Sequence, residues 1–149
     1  WKVYPEDLHG TVPLPSMMDG LVFLFEWDQF KSPQTYNNPH TSVETIEKML
    51  KAQEQIYLKH LGYAVPPMID EMLLGYGYMN LQMEQPEKAH LFFKTFIEYY
   101  PNNANAYDSM ADYYEAQNDL TNTLKFVNKA SELSHDPYYK NRIQTLKNK

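Results

Sequence analysis

The chain has no cysteine among its 149 residues. That excludes disulfides, zinc–thiolate sites and a thiol nucleophile, and it leaves the redox compartment open. Basic residues are a minority: thirteen Lys and Arg face nineteen Asp and Glu, for a formal charge of −6. A nucleic-acid binder needs a basic face, so no nucleic-acid partner is expected. No apolar run is long enough to cross a bilayer. The histidines (His9, His40, His60, His90 and His135) are scattered, and no HExxH pattern occurs, so no metal site is expected. Glycine-rich phosphate loops are missing too; Gly75-Tyr76-Gly77 reads as small-residue packing inside a helix. No cofactor is expected. None of Ser16, Ser32, Ser42, Ser109, Ser131 and Ser134 sits in a G-x-S-x-G elbow, so the chain lacks a hydrolase nucleophile.

What is present is a repeated helical unit. In residues 104–137, Tyr107, Met110, Ala111 and Tyr114 fall at offsets of three, four and seven, one face of a helix. Gln117-Asn118-Asp119 makes the turn: Asn tolerates the left-handed conformation, and Asp accepts bonds from free N–H groups at a helix start. A second helix carries Leu120, Leu124, Val127, Ala130 and Leu133 on its apolar face. A backward shift of 34 sets Gly77 against Ala111, Ala89 against Thr123, Phe93 against Val127 and Pro101 against His135. The unit at 70–103 is thus an earlier copy.

A period of 34 with helix–turn–helix content resembles the tetratricopeptide repeat. The later copy matches that family's pattern at Tyr107, Met110-Ala111, Tyr114, Val127 and Ala130, with Thr123 and His135 departing from it. The earlier copy matches at Leu73, Tyr76-Gly77, Ala89, Phe93 and Pro101, with Asn80 and Phe96 off pattern. The resemblance implies an all-α array whose role is contact with other proteins, the first helix of each pair lining a concave side. On that side would stand Asn105, Asp108, Asp112 and Glu115, and one period earlier Glu71, Leu74, Tyr78 and Leu81. The binding residues expected are Asn105, Asp108, Asp112, Glu115, Leu74 and Tyr78. Their acidic end would repel a carboxylate, so any partner is expected to be a basic peptide or a domain of the same polypeptide.

The first thirty residues have another character. Trp1-Lys2-Val3-Tyr4 could end a strand, and Pro5 to Pro15 make a Gly- and Pro-rich loop. Ser16, with Asp19 three residues on, suggests the cap of a helix over 17–27 that is apolar nearly all round. A strand end, then His-Gly-Thr-Val-Pro-Leu, then an Asp-Gly-Leu helix resembles the C-terminus of an α/β-hydrolase of the esterase D and enterobactin-esterase kind. The resemblance implies that His9 is the base of a catalytic triad whose nucleophile and acid lie elsewhere in a longer parent. The chain by itself is therefore expected to be inactive, a piece of a larger hydrolase. The apolar 21–27 segment, without its parent core, is expected to drive self-association.

The organisation expected is then a hydrolase remnant over 1–28, a linker over 29–40, a docking helix over 41–62 and two repeats with a capping helix over 68–149. Thr41 with Glu44 suggests the docking helix's capping box. Gly62 closes that helix and Pro66-Pro67 forbid its continuation. The docking helix should cover the first repeat and fill the apolar end of the groove at Leu74, Tyr78 and Leu81. Asp136-Pro137 starts a last helix with Tyr139, Ile143 and Leu146 inward and Lys140, Arg142, Lys147 and Lys149 outward. Two roles compete: a non-catalytic tail of a serine esterase, or a free-standing peptide-binding module. The second has no use for an apolar helix behind a histidine loop.

Overall fold

Two tight turns, one repeat period apart, share the same backbone. In a computed structural model that describes residues 3–6, 8, 10–28 and 34–148, Asn118 takes φ 58° and the Asp119 N–H donates to the Tyr114 carbonyl at 2.9 Å. At the earlier turn Glu84 takes φ 56° and the Gln85 N–H donates to the Asn80 carbonyl at 2.9 Å. A left-handed residue after each helix lets orphan carbonyls be reached from beyond its end. Asn accepts that conformation readily, whereas Glu does not.

All regular structure among the described residues is α-helical. The chain divides into two units, residues 1–32 and 33–149. In the larger unit α2 (Gln34–Asn37) and α3 (Val43–Leu61) precede two hairpins, α4 (Asp70–Gln82) with α5 (Pro86–Tyr99) and α6 (Ala104–Ala116) with α7 (Leu120–Leu133). A final helix, α8 (Pro137–Lys147), closes the series. Helices α4 and α6 each have 13 residues, and α5 and α7 each have 14.

The close approach expected at Gly77 is present. A Cβ built there would run into the ring of Phe93. Phe93, Ala89 and Met110 form one core cluster between the hairpins. A second cluster joins Ala111, Val127 and Ala130 to Tyr139 and Leu146 of α8. A third and larger one gathers Tyr36, Ile46, Leu50, Leu73, Tyr76, Phe92 and Phe96 around the first hairpin. Each large side chain buried this way contributes about 1.5–3 kcal/mol.

Of the stretch expected to be a linker, residues 34–40 are described, and one of them joins this core. Tyr36 of α2 is 5% exposed, with its ring 5.1 Å from Tyr76 and 6.0 Å from Phe92. Three polar side chains of the first hairpin hold α2 and the turn after it. Asn80 Nδ2 donates to Asn37 Oδ1 at 3.0 Å, Gln85 Nε2 to the Asn37 carbonyl at 3.2 Å, and Lys88 Nζ to the Asn38 carbonyl at 2.5 Å. Asn80 and Phe96, the two off-pattern residues, are where the first hairpin meets α2 and α3: Asn80 bonds α2, and Phe96 shares a cluster with Tyr36, Ile46 and Leu50.

Helix α3 begins one residue later than expected. Ser42, not Thr41, caps it by accepting from the Thr45 N–H at 3.1 Å, and Gly62 at φ 78° ends it as expected. The helix packs on the first hairpin: Ile46 and Leu50 share a core cluster with Leu73 and Tyr76 of α4 and with Leu91, Phe92 and Phe96 of α5. Its Ile46 and Leu50 are buried; Leu50, with Leu91 and Thr95, floors a cleft of about 220 Å³ rimmed by Glu47, Lys51, Lys94 and Glu98. Its apolar pair sits early in the helix, and α5 offers Leu91 and Thr95 to meet it. Leu120, expected inward on α7, is 41% exposed because it sits at the helix start, beside the turn.

The smaller unit holds α1 (Pro13–Leu24). The helix starts at a proline three residues before the expected cap, and Ser16 Oγ donates back to the Pro13 carbonyl at 3.1 Å from inside it. It stops at Leu24, whose carbonyl accepts from Trp27 Nε1 at 2.9 Å, so 25–27 lie beyond it. No strand occurs at Val3-Tyr4, since no partner strand exists among the described residues. Tyr4 instead donates to Asp19. No residue of α1 is buried, and Leu14, Val22, Phe23 and Leu24 are all more than half exposed. Trp1, Lys2 and His9 lie outside the described residues.

Candidate functional site

Helices α4, α6 and α8 bring the expected concave residues together, because positions one period apart on them are neighbours. Tyr78 OH donates to Asp112 Oδ2 at 2.5 Å across such a step. Its ring meets Phe93 edge-on, with centroids 5.2 Å apart. Burial, then the Asp112 carboxylate that accepts its proton, push the Tyr78 phenol well above its ordinary range, so it stays a donor at any working pH. Leu74 is half-buried against the large core cluster, and Leu81 against the one between the hairpins. Leu74 thus packs on the cluster that includes Ile46 and Leu50 of α3, while packing between the hairpins and a hydrogen bond hold Tyr78 and Leu81.

The acidic end holds a guanidinium. Arg142, expected to point outward, is 11% exposed at its side chain. Its Nη1 lies 2.6 Å from Asp108 Oδ1, and its Nη2 lies 2.5 Å from Asp112 Oδ1 and 2.9 Å from Glu115 Oε2. The physical reason is the register. Arg142 follows Asp108 by 34 residues and so falls on the same row of α8 that Asp108 occupies on α6. A cation there meets three anions, and the planar fork serves more than one of them at once. Burial works against the arginine's charge, but the carboxylates outweigh it and raise its pKa further. Asp108 goes the other way from an ordinary ion-paired acid: burial raises its pKa, Arg142 opposes this, and Asp112 adds to it. Asn105 is exposed, and its backbone carbonyl accepts from Ser109 Oγ at 2.7 Å.

Beside this cluster Glu115, Asn118, Leu120, Thr123 and Leu146 line a cleft of about 210 Å³. Among the described residues no group of His, Asp or Glu is placed to hold a metal ion, and no helix is long and apolar enough to cross a membrane. The catalytic role attached to His9 lies outside the described residues. Sequence reasoning missed Arg142 as a member of the site. The same shift of 34 that pairs Gly77 with Ala111 would have found it, had it been carried on from Asp108. Among known proteins, the chain matches no family model and no curated sequence.

Proposed function

We propose that this chain is the non-catalytic, tetratricopeptide-like C-terminal region of a serine esterase of the α/β-hydrolase class, acting in contacts between domains or between proteins. The observation that carries the array is the repeated register. Two turns, two helix lengths and two side-chain contacts, Tyr78 with Asp112 and Asp108 with Arg142, recur at 34 residues. Helix α1 supports the hydrolase part. Its apolar side chains are uncovered, as suits a helix that belongs inside a larger body. His9, in its His-Gly-Thr-Val-Pro-Leu loop, is then the parent's triad base, and this chain contributes no nucleophile.

The test uses the natural polypeptide that carries this sequence. A fluorophosphonate serine probe should label it, and His9→Ala should abolish the labelling. The 149-residue chain alone should hydrolyse p-nitrophenyl acetate no faster than free imidazole does. A natural polypeptide that resists the probe, with no G-x-S-x-G, would remove the hydrolase parent and leave a free-standing peptide-binding module. One observation favours that second reading: the core clusters formed among the described residues lie within residues 33–149. Sedimentation tests the association expected of the 21–27 segment. The chain should run as a dimer or larger, and deletion of residues 1–28 should leave a monomer.

A further inference from the structure

Helix α6 has a face that looks back along the array, and the first hairpin covers it. Ala106 and Ser109 on that face are buried, and Tyr113 is half-buried against the His90 ring of α5, with centroids 5.1 Å apart. Much of the cover is α4. Its Tyr78 lies over Ser109, with the phenol hydroxyl bonded to Asp112 and beside the Ser109 side chain. Asp70, a little over two turns before Tyr78, accepts from Asn103 Nδ2 at 3.3 Å, so α4 and α6 run parallel.

One period earlier, the same face of α4 is open. Met72 stands where Ala106 does and is half-buried; Gly75 stands where Ser109 does and is exposed; Met79 stands where Tyr113 does and is 45% exposed. A Cβ built at Gly75 meets nothing within 4 Å among the described residues, whereas one at Gly77 runs into Phe93. Gly77 therefore makes room for a neighbour inside the hairpin. Gly75, in the middle of the same helix, has no such neighbour and weakens the helix relative to alanine. Helix α2 touches this face at Met79, whose sulfur accepts from Asn37 Nδ2 at 2.7 Å. Glu71, one turn before Gly75, is exposed.

We propose that this face of α4, centred on Gly75, docks a helix of a protein partner that packs on α4 as α4 packs on α6. The α4–α6 contact describes the occupant: a parallel helix that lays an aromatic ring over the small residue. A parallel helix also places the residue four before that ring beside Glu71, so a lysine or arginine belongs there. The partner extends the array at the end away from α8. This names a partner for the interaction role proposed above and rests on it; it is independent of any hydrolase parent.

The probe is a labelled, alanine-based helical peptide with one tyrosine and a lysine four residues before it, titrated into the full 149-residue chain. Wild type should bind it. Gly75→Leu should bind at least about tenfold more weakly, because its side chain takes the place of the ring. That substitution should not lower the Tm, since leucine favours a helix over glycine and the new Cβ enters open space. A peptide with alanine for its tyrosine should lose as much. No binding by wild type, or equal binding by wild type and Gly75→Leu, overturns the proposal.

The charge supplies a second test that leaves Gly75 in place. Glutamate for the peptide's lysine should weaken binding about two- to fivefold, and Glu71→Lys in the chain should reverse that preference. An unreversed preference overturns the proposal, and this exchange carries the test should Gly75→Leu fail to fold. Hydrogen exchange on the same samples separates the docking face from the interaction role. Protected α4–α7 amides without peptide binding sink the docking face alone, whereas unprotected hairpins sink the interaction role as well.

Discussion

Phe92 and Phe126 stand at the same place in α5 and α7, one repeat period apart, yet Phe92 is fully buried between Tyr36 and Tyr76 while Phe126 is only partly buried, stacking on Tyr114 at 5.4 Å with Lys125 Nζ 5.3 Å from its ring centroid. The same contrast runs along both helices. Leu91 and Thr95 of α5 are buried, while their counterparts Lys125 and Lys129 on α7 are exposed. The two backbones agree; what covers them differs. Helices α2 and α3 lie on the first hairpin and turn its outer face into core, whereas the outer face of α7 meets water. A repeated sequence period therefore fixes where helices begin and turn, and neighbours decide how large and how apolar the side chains must be.

Truncating the two phenylalanines should expose this difference most. Phe92→Ala should cost about 3–5 kcal/mol, as for a sealed aromatic whose neighbours cannot collapse into the space. Phe126→Ala should cost about 1–2 kcal/mol, because only part of its area leaves water on folding. Urea unfolding of the full chain measures both. Equal losses would mean that α2 and α3 do not seal the first hairpin.

The next contrast is one of volume. Gly77 faces Phe93 in the first hairpin, and Ala111 shares a cluster with Val127 in the second: the smaller residue goes with the larger partner. Gly77→Ala should destabilise by about 1–3 kcal/mol through overpacking. Phe93→Val, which copies the second hairpin, should absorb the new methyl. The double variant should then be more stable than the sum of the singles predicts by at least about 0.5 kcal/mol. Simple additivity would show that Phe93 moves aside freely and that the pairing of sizes is incidental.

The smallest effect separates the two turns by pH. Asp119 caps α7 by accepting from the Asn122 N–H at 3.0 Å, while Gln85 makes no cap for α5 and reaches α2 instead. The Asn122 backbone amide and then its side chain hold the Asp119 carboxyl below its ordinary value. Its folded pKa is depressed, so its stabilisation is present above the unfolded carboxylate pKa and is lost as pH falls through the folded one. Acidification should raise amide exchange in the first turn of α7 before that of α5. Asp119→Asn should flatten this response with little change at neutral pH. Synchronous loosening of both turns would remove the distinction.

Much of the larger unit was legible in advance because its signals are local. Asn118 before Asp119, Gly62 after Leu61 and Asp136 before Pro137 each act on their own turn of backbone, and each does in the structure what its chemistry suggests. Gly77 was legible for a related reason, since an apolar helix that lacks a Cβ invites a close neighbour. The opposite holds for Tyr36, Arg142 and Asn80. Nothing near Tyr36 in sequence separates a buried ring from one in a solvated Pro- and Asn-rich loop, and its partners Tyr76 and Phe92 lie far along the chain, on α4 and α5. Asn80 likewise finds Asn37 on α2, well before its own helix. Arg142 sits among Lys140 and Lys147 on a helix whose composition suggests a polar outer face, yet three carboxylates 27 to 34 residues earlier draw it inward.

Sequence alone determined the period, the turns and the apolar stripes, because each depends on residues within about one helical turn to a few turns of one another. Tertiary structure alone decided which stripe meets which. Helix α3 packs on the first hairpin through Ile46 and Leu50, Tyr36 from the expected linker joins that core, and the acidic row received its cation from the chain's own last helix. The free energy of burial and of ion pairing depends on the distance between groups in space, and for those groups that distance is set only once the hairpins have stacked.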